Sequence, residues 1–176
     1  YRFTMTPQLN KLLADRRASI KQDAIDKRVR DEVQGVFSKQ AGIERVYFPE
    51  RTNQVPDRPV ITLIVLAPER GATDPETRQF MELVTREYGT AGRTYKSALI
   101  WAVADSPAAL HEEARRLLAW EDIEAGEADR LDDLQRQQLA QNVKKAERDL
   151  MEAVWRSYKN IGLLAKDNTI RMVDFG

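Results

Sequence analysis

Proline-capped turns divide the chain into stretches of helical and strand-like hydrophobic spacing. Thr6-Pro7, Asp74-Pro75 and Ser106-Pro107 each place a short oxygen-bearing side chain before a proline. Such a side chain accepts a hydrogen bond from an N–H of the first helical turn, and proline at the first helical position lacks an N–H that would have no partner. The three pairs therefore predict three helix starts.

The first start opens a helical segment that we expect over residues 7–39, with a break near Ala18. Its second half carries apolar residues three to four positions apart, beginning with Ile25, Val29 and Val33. This spacing is typical of an amphipathic helix. The charges between these residues alternate in sign, which indicates a solvated face more often than a binding surface.

Two apolar runs, Val60–Ala67 and Ala98–Ala104, predict strands that are buried on both faces. The helical segment Pro75–Tyr88 lies between them, and the order strand, helix, strand predicts a parallel pair. Further short strands are predicted at Tyr1–Met5, Arg45–Pro49 and Thr169–Phe175.

Downstream of Ser106 the hydrophobic spacing is almost entirely helical. One apolar stripe is interrupted at Gly126, and a second predicts a long helix from about Leu131 to Leu164. We therefore expect an α/β fold in which a small, mostly parallel sheet has flanking helices and a long C-terminal helical hairpin. The expected parts of this single domain are an α/β core at 1–105, the hairpin, packed on the core or projecting from it, at 106–166, and a closing strand at 167–176.

Composition limits the classes of function. The 28 Lys and Arg residues balance 28 Asp and Glu residues, whereas a nucleic-acid-binding protein usually has a basic excess. Cysteine is absent and histidine occurs once, which excludes disulfides and Cys/His zinc patterns. No apolar run is long enough for a membrane span. We therefore expect a cytoplasmic protein with no membrane partner, and a start at Tyr1 suggests a fragment of a longer protein.

Candidate site residues follow from their position relative to the strands. Glu69 and Asp105 come after apolar strands, and ligands of open α/β sheets bind outside strand carboxyl ends. Two such carboxylates could hold Mg²⁺, although capping of the next turn also explains Asp105. Arg115 and Arg116 could contact a phosphate or a partner, or could be solvated or salt-bridged. The sequence indicates no catalytic residue and no metal site.

Other motifs favour structural interpretations. The segment Gly89–Ser97 has Tyr95 where a phosphate-binding loop needs glycine, and it leads from a helix into a strand instead of the reverse. An acid-x-lysine nuclease element would need lysine at Gly71. His111 has no nucleophile to serve and is expected at the surface. The three tryptophans are expected in the core: Trp101, Trp120 and Trp155.

The unit ALIWAVADSPAALHEEARRLLAW resembles a segment of a family of large bacterial and archaeal proteins that are described as putative AAA+ ATPases. In that family a Tyr-(Arg/Lys)-hydroxyl element precedes an apolar strand, an acidic residue follows, and a helix ends in Arg-Arg-(Leu/Tyr)-Leu-Ala-Trp. The similar residues here are Tyr95–Ser97, Asp105 and Arg115–Trp120. The stretches Asp132–Gln138 and Pro7–Arg17 are also similar, so the resemblance covers most of the chain.

This resemblance implies a nucleotide-binding protein of a family catalogued as a domain of unknown function, often encoded near methyltransferase or phage-defence genes. The phosphate-binding motifs of the family lie upstream of such a segment, so no catalytic residue carries over. We expect this chain to be a non-catalytic accessory region, with ATP and Mg²⁺ bound by the parent protein and partners among the parent's other domains, DNA or a defence system. The alternatives are a stand-alone interaction module and, less favoured, a Mg²⁺-dependent phosphoesterase or nuclease using Glu69 and Asp105.

Overall fold

The computed structural model describes residues 7–39 and 42–174, so the predicted strand at Tyr1–Met5, the Thr6 cap and Phe175 lie outside the described residues. Five α-helices are described: α1 (Pro7–Ser19), α2 (Gln22–Phe37), α3 (Pro75–Arg86), α4 (Ala108–Glu127) and α5 (Asp133–Ser157). Seven strands are described: β1 (Glu44–Tyr47), β2 (Thr62–Val65), β3 (Glu87–Tyr88), β4 (Ala91–Gly92), β5 (Leu99–Val103), β6 (Asn160–Leu164) and β7 (Ile170–Asp174). The mixed α/β class expected from the sequence is confirmed.

Five strands form one sheet in the order β1-β2-β5-β6-β7. The first three are parallel, with Leu63 opposite Ile100 in the central pair, so the predicted parallel pairing is confirmed. All four residues of β2 are buried, as expected for a strand inside a covered sheet. Strands β6 and β7 extend the sheet in the antiparallel sense.

The prediction that the last long helix reaches Leu164 is wrong. Helix α5 ends at Ser157, and Asn160–Leu164 forms β6 beside β5. A short apolar run fits helical and strand spacing equally well, and here hydrogen bonding to the edge of β5 decides between them. Gly162 permits the close packing, because a Cβ at that position would lie 2.8 Å from Met81 Cε and 3.0 Å from Trp101 Cβ.

Helix α3 covers one face of the sheet. Asp74 caps it by accepting a hydrogen bond from the Glu76 N–H at 3.0 Å, as the Asp-Pro pair predicted. The apolar side chains beneath it alternate along the strands, as one face of a sheet requires. This core comprises Val55, Ile64, Leu66, Phe80, Met81, Val84, Leu99, Trp101, Val103 and Ile170.

The chain divides into two compact units, one formed by residues 1–32 and 108–153 and the other by 33–107 and 154–176. The first unit is helical, and α1 lies against α4. Arg16 joins these helices through Asp122 at 2.8 Å and Glu127 at 2.7 Å. The second unit contains the five-stranded sheet and α3.

The charges of α2 are not all on a solvated face. Arg28 donates from both terminal guanidinium nitrogens to the two carboxylate oxygens of Glu121, at 2.7 and 2.8 Å. The Glu121 carboxylate raises the pKa of Arg28, because hydrogen bonding favours the charged form more than burial disfavours it. The alternating charges therefore include one fixed contact between α2 and α4.

Two of the three tryptophans occupy the core. Trp101 is 1% exposed and Trp120 is 3% exposed, as expected, whereas Trp155 is 54% exposed. The prediction for Trp155 is wrong because it follows the buried Val154 on α5, and successive helical residues are rotated by about 100°. A position beside an apolar stripe is therefore not enough to bury an aromatic ring.

Candidate functional site

Asp105 lies directly beyond the carboxyl end of β5, as the sequence predicted. Its Oδ1 accepts a hydrogen bond from Asn160 Nδ2 at 2.5 Å, and its backbone N–H donates to the Ser157 carbonyl at 2.9 Å. Lys159 Nζ is 3.5 Å from Oδ2. Both carboxylate oxygens of Asp105 therefore contact the segment that leads into β6.

Lys159 also interacts with the end of β7, the strand that pairs with β6. Its Nζ lies 3.6 Å from Asp174 Oδ2, so one ammonium group is shared by two carboxylates. All three side chains are between about one third and three fifths exposed, which makes each pair individually weak. Together they mark where β5, β6 and β7 meet at the carboxyl edge of the parallel strands.

Glu69 is exposed and lies in the turn at 68–70 that follows β2. The chain then passes close to the end of β5, where Gly71 forms a parallel bridge with Ala104. A Cβ at Gly71 would lie 2.9 Å from the Asp105 carbonyl oxygen. The sheet thus brings the two predicted strand ends together through their backbones.

The two predicted phosphate-contacting arginines lie on α4 and face acids of the same helix. Arg115 Nε is 3.9 Å from Glu112 Oε1, and Arg116 Nη1 is 3.5 Å from Glu113 Oε2. Pairs three residues apart on a helix stabilise it by a few tenths of a kcal/mol, about 0.2–0.5. His111, expected at the surface, has a side chain only 21% exposed, and its Nε2 lies 3.6 Å from Asp26 Oδ1.

A cleft of about 330 Å³ lies at the opposite edge of the sheet, where sequence reasoning had not placed a site. The β6–β7 turn forms one wall, and it meets the amino end of β5 because Leu163 pairs with Ile100. Helix α3 forms the other wall. The polar residues that line it include Arg78, Glu82, Arg86, Lys96, Asn168 and Thr169.

The cleft is electropositive. Arg78, Arg86 and Lys96 contribute three positive charges against the single carboxylate of Glu82. Arg78 is already engaged, since it donates to the Ile170 carbonyl and lies 3.6 Å from Glu82 Oε1. Arg86 and Lys96 are exposed and make no ion pair with the residues at 7–39 and 42–174.

The β6–β7 turn has a fixed geometry. The Ala165 N–H donates to the Thr169 carbonyl at 2.8 Å, and the Asn168 N–H donates to the Ala165 carbonyl at 3.0 Å. Asn168 has φ +66°, in the left-handed region that asparagine tolerates better than most residues. This is the arrangement of a three-residue hairpin loop, in which a tight turn ends in a left-handed residue.

A sequence signal for the cleft existed but was weak. Arg78, Glu82 and Arg86 are four residues apart and therefore share one face of α3. Lys96 and the turn at 165–169 are distant along the chain, and only the folded sheet brings them to that face.

A second feature missed from the sequence is a buried arginine in the glycine-containing segment. Arg93 is 4% exposed and donates to four backbone carbonyls: Val84 at 2.5 Å, Pro56 at 3.0 Å, Thr52 at 3.1 Å and Val55 at 3.0 Å. Burial lowers the pKa of this guanidinium below its ordinary value, although Asp57 and Tyr88 oppose the shift. Arg93 fastens the proline-rich loop at 49–60 to the end of α3.

Asp57 completes this arrangement. Its carboxylate accepts hydrogen bonds from the Thr94 N–H at 2.9 Å and the Tyr95 N–H at 2.8 Å. Burial alone would raise the pKa of Asp57, but these two N–H groups and the charge of Arg93 bring it below its ordinary value. The segment that suggested a phosphate-binding loop is thus hydrogen-bonded to the loop at 49–60 and has a structural role.

Comparison with known proteins identifies no relative: no protein-family model, curated protein or solved structure matches the chain. Among the described helices, none combines the length and apolar character needed to cross a membrane.

Proposed function

We propose that this chain is a non-catalytic accessory region of an ATP-binding protein of the AAA+ type, and that it couples nucleotide state to a partner or to DNA. The similarity of Tyr95–Ser97, Asp105 and Arg115–Trp120 to the family segment supports the parent class. Its partners would be the parent's other domains, DNA or a defence-system protein in the cytoplasm.

The contacts of Asp105 carry the non-catalytic part of the proposal. An acid at the carboxyl end of a buried strand is where metal-assisted chemistry would be expected. Here its two oxygens meet Asn160 and Lys159, and its backbone bonds to Ser157. These contacts hold β6 against β5, which is a structural role.

A stability comparison tests that role. Asp105→Ala removes one of the two acceptors of the Asn160 amide and leaves the Val103 carbonyl, 3.3 Å away, as the other. We expect a loss of about 1–2 kcal/mol in the free energy of unfolding. Asp105→Asn retains an acceptor oxygen and should lose less. Glu124→Ala, at an exposed position of α4, is the matched control and should change stability by less than about 0.5 kcal/mol.

A hydrolysis assay tests the enzymatic alternative. The chain is incubated with Mg²⁺ and either ATP or a phosphodiester substrate, beside a Glu69→Gln/Asp105→Asn variant. The proposal expects equal, background-level phosphate release or strand cleavage from both proteins. Mg²⁺-dependent turnover that disappears in the variant would overturn it and assign Glu69 and Asp105 to a phosphoesterase.

The reading frame around the coding sequence tests the link to ATP. A frame that continues upstream into a Gly-x-x-x-x-Gly-Lys-Ser/Thr loop agrees with the proposal. A frame that begins at this chain would contradict it and favour a stand-alone interaction module.

A further inference from the structure

We propose that the cleft between α3 and the β6–β7 turn binds a small phosphate-bearing molecule through Arg86, Lys96 and Arg78. The inference does not depend on the proposed function, because it concerns binding at the edge of the sheet opposite Asp105. Its ligand class follows from the charge, size and geometry of the cleft.

Charge favours an anion. Three cations face the cleft and one carboxylate opposes them, although the chain as a whole has 28 residues of each sign and no net charge. Glu82 is positioned against Arg78 at 3.6 Å, which leaves Arg86 and Lys96 as the cations without an ion pair in the described parts of the chain. An arginine can donate two parallel hydrogen bonds to a phosphate, and a lysine supplies a point charge.

Size favours a small ligand. A volume of about 330 Å³ is near the lower end of the range of small-molecule pockets, about 300–1,000 Å³. Leu164 and Ile170 add an apolar wall beside the charged residues. A pyrophosphate group or a compact phosphate ester fits this combination better than an extended polymer.

Geometry favours a site that exists before the ligand arrives. Arg86 lies on α3, two helical turns after Arg78, and the turn that carries Asn168 and Thr169 is closed by two backbone hydrogen bonds. Arg78 is tied to the Ile170 carbonyl, so the helix and the turn are joined across the cleft. A backbone that is fixed before binding reduces the free energy lost in ordering the site, and the exposed side chains of Arg86 and Lys96 are what remains to be ordered.

Pyrophosphate is the probe for the first experiment. The chain is titrated at low ionic strength, and backbone amide shifts are followed by NMR. We expect saturable shifts confined to α3, the segment around Lys96 and the turn at 165–169. Binding should weaken as salt rises, because both main cations are exposed and screened.

Charge variants should change the affinity for pyrophosphate in opposite directions. Arg86→Gln/Lys96→Gln should weaken binding at least fivefold, whereas Glu82→Gln should strengthen it about two- to fivefold by removing the opposing charge. Lys144→Gln removes an exposed charge from α5 and should leave the affinity unchanged. Circular dichroism checks that each variant is folded, as expected for exposed positions.

ADP distinguishes a free from an esterified phosphate. ADP that binds at least as tightly as pyrophosphate, with the same loss in the Arg86→Gln/Lys96→Gln variant, supports an ester as the ligand; ADP that binds more weakly supports the free anion. Shifts scattered over exposed lysines throughout the chain, or a double variant that binds pyrophosphate as the wild type does, would overturn the proposal.

Discussion

Arg93 offers a direct test of what holds the sheet-containing unit together. Replacing it with methionine preserves much of the apolar stem and removes all four hydrogen bonds to backbone carbonyls. The acceptors on Val84 and Val55 are buried, and each unsatisfied buried acceptor costs about 1–3 kcal/mol. The acceptors on Thr52 and Pro56 are only partly buried, so water replaces much of what they lose.

The expected loss for Arg93→Met is therefore about 2–4 kcal/mol, after allowing for the desolvation cost that the buried charge no longer carries. Arg93→Lys keeps the charge but has one nitrogen in place of a planar fork, and it should lose roughly half as much. Urea unfolding at pH 7, extrapolated to water, measures the free energy of unfolding. Arg86→Met, at an exposed position of α3, is the control.

An Arg93→Met protein that unfolds at the same free energy as the wild type would refute this reasoning, because it would show that solvent or rearranged backbone satisfies the four carbonyls. Equal losses for lysine and methionine would refute a narrower point, the dependence on the planar fork.

Two further predictions concern neighbouring features. Gly162→Ala should lower the free energy of unfolding by about 1–3 kcal/mol, because the added methyl group overpacks against Met81 and Trp101. Gly35→Ala has open space around it in α2 and should raise the free energy of unfolding by about 0.5–1 kcal/mol. Thermal unfolding measures both changes, and a neutral Gly162→Ala would contradict the packing described. The pKa of Asp57 in the folded protein lies below its ordinary value of 3.8. The ionised carboxylate therefore stabilises the folded state fully above the ordinary pKa, and this stabilisation is lost as the pH falls through the folded pKa. The difference in unfolding free energy between wild type and Asp57→Asn, measured in urea from pH 6 to 2.5, should shrink below pH 3.8; a constant difference would exclude this linkage.

Local sequence signals predicted the elements whose stability is local. The Asp74-Pro75 pair set the start of α3. The β-branched run at 60–67 predicted a buried strand, which is confirmed for Thr62–Val65, whereas Val60 and Ile61 are exposed and precede it. Helix α4 begins at Ala108, one residue later than the Ser106-Pro107 pair suggested. These signals work because a cap and an apolar run act through immediate neighbours along the chain.

The features that the sequence did not predict depend on contacts between residues far apart in the chain. Asn160–Leu164 has no feature of its own that distinguishes strand from helix until β5 provides a hydrogen-bonding edge. The carboxyl-edge acids were correctly placed at strand ends, but the electropositive cleft lies at the other edge and combines α3 with a turn about eighty residues downstream. The sequence around Arg93 gave no sign that its side chain is buried, because its four acceptors lie elsewhere in the chain.

The position of β6 has a consequence for how the protein is made. Strand β5 ends at Val103, but the strand that completes its exposed edge begins only at Asn160. A ribosome adds about 5–20 residues per second, so roughly 3 to 11 s separate the two strands during translation. For that interval β5 is an uncovered apolar edge, which is the kind of strand that pairs with other chains. Nascent chains that stall between these strands should therefore require chaperones more than the finished protein does.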